Sequence, residues 1–218
     1  MTPNVLLFDL DGTLTDPRPG IVGSLRFALD QLKAPCPTDE VLATYIGPPL
    51  RGTFATLLGT DDTDRIEQAI GLYRQRFANT GLYENRVYDG VPEMLERAGA
   101  ATAVYVATSK PAVYAERIVR HFGLAQHFRK VYGPDLDGRY ENKAELLAHL
   151  LTRESVSPEA AVMIGDREAD VRAAKASGVR SIGVLWGYGS ERELIEAGAD
   201  MLCATPGELA ARLADGTI

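Results

Sequence analysis

The chain contains little cysteine and no motif built on it. Of its 218 residues only Cys36 and Cys203 are cysteines, and they lie far apart in the sequence. No C-x-x-C pair or Cys/His cluster surrounds either residue, so we expect neither a zinc site nor a redox pair. Both are predicted to be small core or surface residues. Sparse, unpaired cysteines fit a reducing compartment, and the expected localisation is cytoplasmic.

Long apolar runs and an excess of basic residues are missing as well. No run approaches the length that spans a bilayer, and Met1–Asn4 lacks the basic start of a signal peptide. The net charge of −7, with no basic stripe, argues against a nucleic-acid polymer as partner. We therefore expect no membrane and no nucleic-acid partner. A composition of 45% hydrophobic and 24% charged residues supports one large or two small globular domains.

Two aspartates, Asp9 and Asp11, follow the apolar run Val5–Phe8, which is typical of a strand buried on both faces. An unpaired carboxylate is costly to bury, so the pair needs a partner such as a hard divalent cation. On an extended chain both side chains point to the same side, and Gly12 then allows a sharp turn close to a ligand. The pattern favours an oxygen-lined site for Mg²⁺ and phosphate. The alternative is an ordinary turn, in which aspartate and glycine are favoured for backbone reasons.

Helical patterns and strands divide the rest of the chain. From Thr15 to about Glu84 the sequence shows helical spacing and no convincing strand, which predicts a small all-helical domain, residues 16–85, inserted after the first strand. Residues 1–15 and 86–218 form the predicted core, where helices alternate with apolar strands. This alternation indicates an α/β fold with a Rossmann-like, doubly wound parallel sheet. The predicted strands after the first are Ala103–Ala107, Lys130–Tyr132, Ala161–Ile164, Ser181–Leu185 and Asp200–Cys203.

Ligands of such sheets bind at the carboxyl ends of the strands, so residues at those ends are candidates for a site. Thr108, Ser109 and Lys110 follow the strand Ala103–Ala107 and precede Pro111. Hydroxyl groups and free amides at a helix start can cradle a phosphate. In the other interpretation Ser109 only caps the helix whose first turn contains Pro111. Both hold if Thr108 reaches the ligand while Ser109 caps.

A second acidic cluster, Asp166 with Asp170, follows the strand Ala161–Ile164. The spacing places both acids on one face of a first helical turn. The helix dipole also stabilises an acid near a helix start, which explains the presence of one such acid. It does not explain why two strands of one sheet both end in acids. A shared cation explains both ends. Lys143, at the start of another helix, opposes that helix's dipole, and it has a role only if acids and phosphate converge beside it.

Taken together, these segments resemble the haloacid dehalogenase superfamily, specifically its phosphatases with a small helical cap. The four motifs occur in order as Asp9-Leu10-Asp11-Gly12-Thr13, then Thr108, then Lys143, then Gly165-Asp166 with Asp170. The resemblance covers nearly the whole chain. The resemblance implies that Asp9 attacks phosphorus and forms an aspartyl-phosphate. It also implies that Asp11 protonates the leaving alcohol and then deprotonates the hydrolytic water.

The same resemblance implies a set of ligands and an enzyme class. The groups that would hold Mg²⁺ are Asp9, Asp166, the carbonyl oxygen of Asp11 and, behind them or through water, Asp170. Thr108 and Lys143 would bind the non-bridging phosphoryl oxygens. The acid at position 11 argues against a dehalogenase. The implied activity is that of a phosphoric monoester hydrolase, with a sugar phosphomutase or a non-catalytic phosphoacceptor module as alternatives.

Closer similarity is to phosphoglycolate phosphatase-like proteins and their 5′-nucleotidase-like branch. It is carried by Tyr45–Leu50, Val106–Pro111 and Gly183–Gly189. The resemblance implies a cap loop in which Arg51 meets an anionic substrate; a solvated arginine at a helix start is the other interpretation. Ser109 and Lys110 are expected near the phosphate. The implied partner is a small phosphorylated metabolite, bound by a monomer or homodimer.

Overall fold

The computed structural model describes residues 4–99 and 102–218, which form two compact units. The first unit comprises Met1–Asp16 and Val87–Ile218, and the second comprises Pro17–Arg86. Met1–Pro3, considered above for a signal peptide, lie outside the described residues. No helix within the described ranges combines the length and the apolar character that crossing a membrane demands.

A parallel sheet forms the centre of the first unit. In spatial order its strands are β5 (Lys130–Tyr132), β4 (Ala103–Ala107), β1 (Val5–Phe8), β6 (Ala161–Gly165), β7 (Arg180–Val184) and β8 (Met201–Cys203). Every neighbouring pair is parallel, and Phe8 is level with Val106 on one side and Ile164 on the other. β1 is therefore central, and the predicted doubly wound α/β fold is confirmed.

Both faces of β1 are buried because all four of its residues are apolar. Val5 and Leu7 pack in one cluster with Leu147, while Leu6 and Phe8 are fully buried as well. Burying each such side chain contributes about 1.5–3 kcal/mol. The residues that follow Phe8 therefore start from a rigid support.

Helices flank this sheet in the predicted alternation. They are α5 (Val91–Gly99), α6 (Ala112–His121), α7 (Lys143–Glu154), α8 (Glu168–Ala176), α9 (Glu191–Ala197) and α10 (Pro206–Ala214). α7 begins at Lys143 because the Asn142 side chain accepts hydrogen bonds from the next free amides. The expectation that Ser109 caps α6 is wrong. Pro111 is the N-cap, with a φ of −49°, and it needs no N–H at a helix start.

The second unit is built from helices. They are α1 (Arg18–Gln31), α2 (Asp39–Ala43), α3 (Leu50–Leu58) and α4 (Thr63–Arg76), followed by a π-helical turn at Phe77–Gly81. Phe54, Tyr73 and Phe77 pack against one another in its core. Two short strands, β2 (Thr15–Asp16) and β3 (Arg86–Val87), lie where the chain passes from one unit to the other. The expectation of no strand between Thr15 and Glu84 is thus wrong at its start, since so short a strand shows no periodicity.

Candidate active site

The first lysine of α7 joins two acidic strand ends. Lys143 Nζ lies 2.8 Å from Asp9 Oδ1 and also contacts Asp170 Oδ1, and all three side chains are buried. Burial works to lower the pKa of Lys143, but the carboxylates of Asp170 and Asp9 outweigh it and raise that pKa. Lys143 therefore remains an ammonium ion that compensates part of the charge of the two acids. Lys143 is thus a buried lysine with two acidic partners and not a solvated surface lysine, which is the commoner case at a helix start.

Asp166 follows β6 and is held by groups from two loops. Its Oδ1 accepts a hydrogen bond from Thr13 Oγ1 at 3.1 Å, and its Oδ2 accepts one from the Tyr188 amide at 2.8 Å. The turn at Gly12 approaches so closely that a Cβ there would lie 2.2 Å from Asp166 Oδ2. Gly12 also has a φ of +87°, which other residues rarely adopt. Both the turn and the close approach therefore require glycine.

Three buried acids form a cluster at these strand ends. Carboxylate oxygens of Asp9, Asp166 and Asp170 lie within 4.8 Å of one another. Burial, followed by the charges of Asp170 and Asp9, raises the pKa of Asp166 to about 8.

Both oxygens of Asp170 have partners, since Oδ1 contacts the Lys143 ammonium and Oδ2 accepts a hydrogen bond from the Arg167 amide at 3.0 Å. Both oxygens of Asp166 also have partners, but these are the neutral donors of Thr13 and Tyr188. The charge of Asp166 is therefore less compensated than that of Asp170, and Asp166 is better placed to bind a cation directly.

Asp11 has a lysine of its own. Lys110 Nζ lies 2.7 Å from Asp11 Oδ2, and the two side chains are 5% and 11% exposed. The other oxygen, Asp11 Oδ1, is buried and finds no hydrogen-bond partner among the described residues. Burial raises the pKa of Asp11, and the Lys110 ammonium offsets only part of that rise. A buried carboxyl group with a raised pKa and an oxygen that no other group occupies is suited to proton transfer.

Thr108 is buried at the end of β4, in a turn that the neighbouring strand supports. Its amide donates to the Tyr132 carbonyl at 3.0 Å, and its Oγ1 accepts a hydrogen bond from the Lys110 amide at 3.2 Å. Because the hydroxyl oxygen is the acceptor there, its hydrogen is left to donate to a ligand. Ser109 lies partly buried in the same turn.

The loop after β7 also reaches the acids, a role not foreseen from the sequence. Trp186 Nε1 donates to the Thr13 carbonyl at 2.9 Å. The Tyr188 amide binds Asp166, and the Tyr188 hydroxyl binds Asp16. One feature of the sequence could have indicated this role. The loop follows a predicted strand, and its residues 187–189 are Gly-Tyr-Gly.

Arg51 lies in the second unit, at the second residue of α3. Its guanidinium pairs with Glu67 of α4 at 2.5 Å, and the two side chains are 55% and 46% exposed. An exposed ion pair of this kind contributes little to stability. A contact between Arg51 and a substrate stays a prediction.

The charge of the site favours a divalent cation. The carboxylates are Asp9, Asp11, Asp166 and Asp170, and the ammonium groups are Lys110 and Lys143. The site therefore carries an excess of negative charge when all of these groups are ionised. A buried excess of carboxylate oxygens suits a hard cation such as Mg²⁺, whose preferred ligands are oxygens.

The fold and this site define a hydrolase with an α/β core and an active site rich in carboxylates at the carboxyl ends of parallel strands. The chain belongs to the haloacid dehalogenase-like hydrolase family, which it matches over residues 6–184. That range includes each of the acids and lysines just described. The predicted superfamily is confirmed.

Named relatives include phosphatases and one kinase. A 5′-nucleotidase of Pseudomonas aeruginosa is 51% identical over 193 residues, which are 88% of this chain and 86% of that protein. The tyrosine-protein kinase PtkA of Mycobacterium tuberculosis is 40% identical over 190 residues, which are 86% of this chain and 64% of PtkA. A phosphoglycolate phosphatase of Xanthomonas campestris is 30% identical over 210 residues, or 95% of each chain.

Solved structures agree with this grouping. A predicted phosphatase from Clostridium acetobutylicum matches with a TM-score of 0.93 and 36% identity, covering 99% of this chain and 100% of that one. The predicted enzyme class, a phosphatase of the haloacid dehalogenase superfamily similar to phosphoglycolate phosphatases and 5′-nucleotidases, is confirmed.

Proposed function

We propose that this protein is a Mg²⁺-dependent phosphomonoesterase that hydrolyses a small phosphorylated metabolite through an aspartyl-phosphate on Asp9. The observation that carries the proposal is the assignment of each motif aspartate to a different lysine, Asp9 to Lys143 and Asp11 to Lys110. A nucleophile and a proton carrier at the end of one strand are the two groups that stepwise phosphoester cleavage requires.

The proposed reaction has two steps. A carboxylate oxygen of Asp9 attacks phosphorus, the bond to the leaving oxygen breaks, and Asp11 gives its proton to that oxygen so that an alcohol departs. Asp11, now a carboxylate, then takes a proton from the water that attacks the phosphorus of the aspartyl-phosphate. The second displacement releases inorganic phosphate and regenerates Asp9.

Lys143 and Thr108 are the proposed ligands of the phosphoryl group. Lys143 contacts Asp9 directly, so its ammonium lies beside the atom that attacks phosphorus. Thr108 has a hydroxyl hydrogen to donate, and Ser109 extends the same turn. Positive charge and hydrogen-bond donors at this point stabilise the charge that develops on the phosphoryl oxygens during transfer.

Asp9 and Asp166 are the proposed direct ligands of Mg²⁺, together with the carbonyl oxygen of Asp11. Asp170, whose oxygens already contact Lys143 and the Arg167 amide, would act from behind them or through water. When bound, Mg²⁺ screens the repulsion between a carboxylate nucleophile and a phosphate dianion. The support for this set is the buried cluster of acids and its excess of negative charge.

The relatives suggest which substrates to test first. A 5′-nucleotidase and a phosphoglycolate phosphatase are among them, so nucleoside 5′-monophosphates and phosphoglycolate are the first candidates. The helical unit Pro17–Arg86 is the proposed cap, and Arg51 is its proposed contact with an anionic substrate. We place the reaction in the cytoplasm, where the two free cysteines would stay reduced.

The test is release of inorganic phosphate from p-nitrophenyl phosphate, a nucleoside 5′-monophosphate and phosphoglycolate. We expect turnover with Mg²⁺ and its loss in excess EDTA. Asp9→Asn removes the nucleophile and should lower kcat by about 10⁴-fold or more. The matched control is Asp215→Asn, an exposed carboxylate at the end of α10, which should leave kcat unchanged.

Other outcomes identify the competing activities. A phosphate group that reappears on another hydroxyl of the product would identify a phosphomutase. A stable phosphoprotein without turnover would identify a phosphoacceptor module. No phosphate release from any ester would overturn the proposal, and full activity of the Asp9→Asn variant would remove Asp9 as nucleophile.

A further inference from the structure

We infer that Lys110 is a positioning residue for Asp11 rather than a ligand of the phosphoryl group. The inference rests on the proposed function, and it reassigns a lysine that the sequence placed near the phosphate. Lys110 Nζ lies 2.7 Å from Asp11 Oδ2, in a pair of side chains that are 5% and 11% exposed. A charge-assisted hydrogen bond of this length, shielded from water, holds the orientation of the carboxyl group.

The backbone at Lys110 is itself fixed by the loop after β5. The Ala112 amide donates to the Pro134 carbonyl at 3.0 Å. A Cβ at Gly133 would lie 2.3 Å from the Lys110 carbonyl oxygen, so this loop passes as close as a glycine backbone allows. Lys110 therefore extends from a rigid turn, and a rigid support is what a side chain needs to hold another in place.

The two oxygens of Asp11 are thereby given different tasks. Lys110 occupies Oδ2, and Oδ1 has no hydrogen-bond partner in the described part of the chain. Because Oδ1 is the oxygen without a partner, it is the one left to exchange a proton with the leaving group. With Lys110 removed, the carboxyl group would be free to rotate, and the open oxygen would lose its fixed direction.

The chemistry of the leaving group distinguishes this role from phosphate binding. An alkoxide leaves poorly unless it is protonated as its bond breaks, whereas p-nitrophenolate leaves without a proton. A lysine that acts through Asp11 therefore matters for alkyl esters and much less for an aryl ester. A lysine that binds the phosphoryl group matters equally for both, because that group is common to them.

The test measures kcat/KM of Lys110→Met on p-nitrophenyl phosphate and on an alkyl phosphate that the wild type hydrolyses. This parameter reports the steps up to departure of the leaving group and not the later hydrolysis of the aspartyl-phosphate. We expect a loss of about 10²-fold on the alkyl ester and of less than about 10-fold on the aryl ester. Equal losses with a raised KM would overturn the inference, as would no loss on either ester. Retained activity on the aryl ester also shows that the variant folds.

A double-variant cycle tests whether Lys110 acts through Asp11. In the Asp11→Asn background, Lys110→Met should lower kcat/KM on the alkyl ester by less than about 3-fold, because the group it positions is already gone. A full additional loss would mean that Lys110 acts elsewhere. Lys175→Met, which removes an exposed lysine near the end of α8, is the control for lost charge. A wild type inactive on both esters would instead refute the proposed function.

Discussion

Asp9 and Asp11 differ in surroundings more than their positions in the chain suggest. Asp9 shares Lys143 with a second carboxylate, Asp170, and belongs to the buried acidic cluster. Asp11 pairs with Lys110 and keeps one oxygen without a hydrogen-bond partner among the described residues. One aspartate is held by charges from several elements, and the other retains an open acceptor.

In the proposed mechanism, the neighbours divide the labour between these two identical side chains. A nucleophile must meet phosphorus in line, so a fixed orientation favours it. A proton carrier must give and take a proton within one cycle, so it needs an oxygen that no other group occupies. The charged neighbours of Asp9 would fix its orientation, and Asp11 has an oxygen without a hydrogen-bond partner among the described residues.

Loss of Lys143 should have a larger effect than loss of Lys110. Lys143→Met would leave the Asp9 and Asp170 carboxylates buried without their ammonium ion, and the phosphoryl group without one of its proposed ligands. We expect kcat/KM to fall by about 10³-fold on aryl and alkyl esters alike. The same two esters and the Lys175→Met control measure it. A loss confined to the alkyl ester would contradict the proposed difference between Lys143 and Lys110, because Lys143 would then act in proton transfer.

The stabilisation of the fold by Mg²⁺ should depend on the acidic cluster around Asp9 and not on the pair of Asp11 and Lys110. At 100 times its Kd, Mg²⁺ that binds only the folded chain raises the free energy of unfolding by about 2.7 kcal/mol. We expect Asp166→Asn to remove most of this gain and Lys110→Met to retain it. Urea unfolding with and without Mg²⁺ measures the difference. If Lys110→Met abolishes the gain, the side-chain pair of Lys110 and Asp11 takes part in holding the metal, and not only the carbonyl oxygen of Asp11.

Over a single pH unit, the smallest expected effect is the pH dependence of stability without metal. Burial and the adjacent carboxylates raise the pKa of Asp166 to about 8, well above the value of about 3.9 for an unfolded chain. Between these values the folded chain keeps a proton that the unfolded chain has lost. The free energy of unfolding should therefore fall as pH rises through this window, by at most about 1.4 kcal/mol per pH unit.

Urea unfolding in EDTA at several pH values measures this decline. The slope should be shallower in Asp166→Asn, which has no titrating group there, and shallower in the wild type with Mg²⁺, which favours the charged carboxylate. A wild-type slope no steeper than that of the variant would contradict the raised pKa of Asp166.

The strand ends were predictable, and the pairing of charges on them was not. Apolar runs and parallel topology place Asp9, Thr108 and Asp166 at one edge of the sheet, because neighbouring parallel strands end together. Whether a lysine reaches one acid or another depends on the course of the loops. Lys110 contacts Asp11 from a turn against which the loop at Gly133 packs closely, and nothing in the spacing of positions 11, 110 and 133 indicates that contact.

The contacts that build the site join distant parts of the chain. Asp9 and Lys143 are 134 residues apart, and Thr13 and Asp166 are 153 residues apart. Such pairings form slowly during folding, because the entropy of closing long loops is lost before the contacts offset it. The site is complete only when β1 and β6 are paired and α7 is docked. The return of catalytic activity in a refolding experiment therefore times the last stage of assembly and not the first collapse.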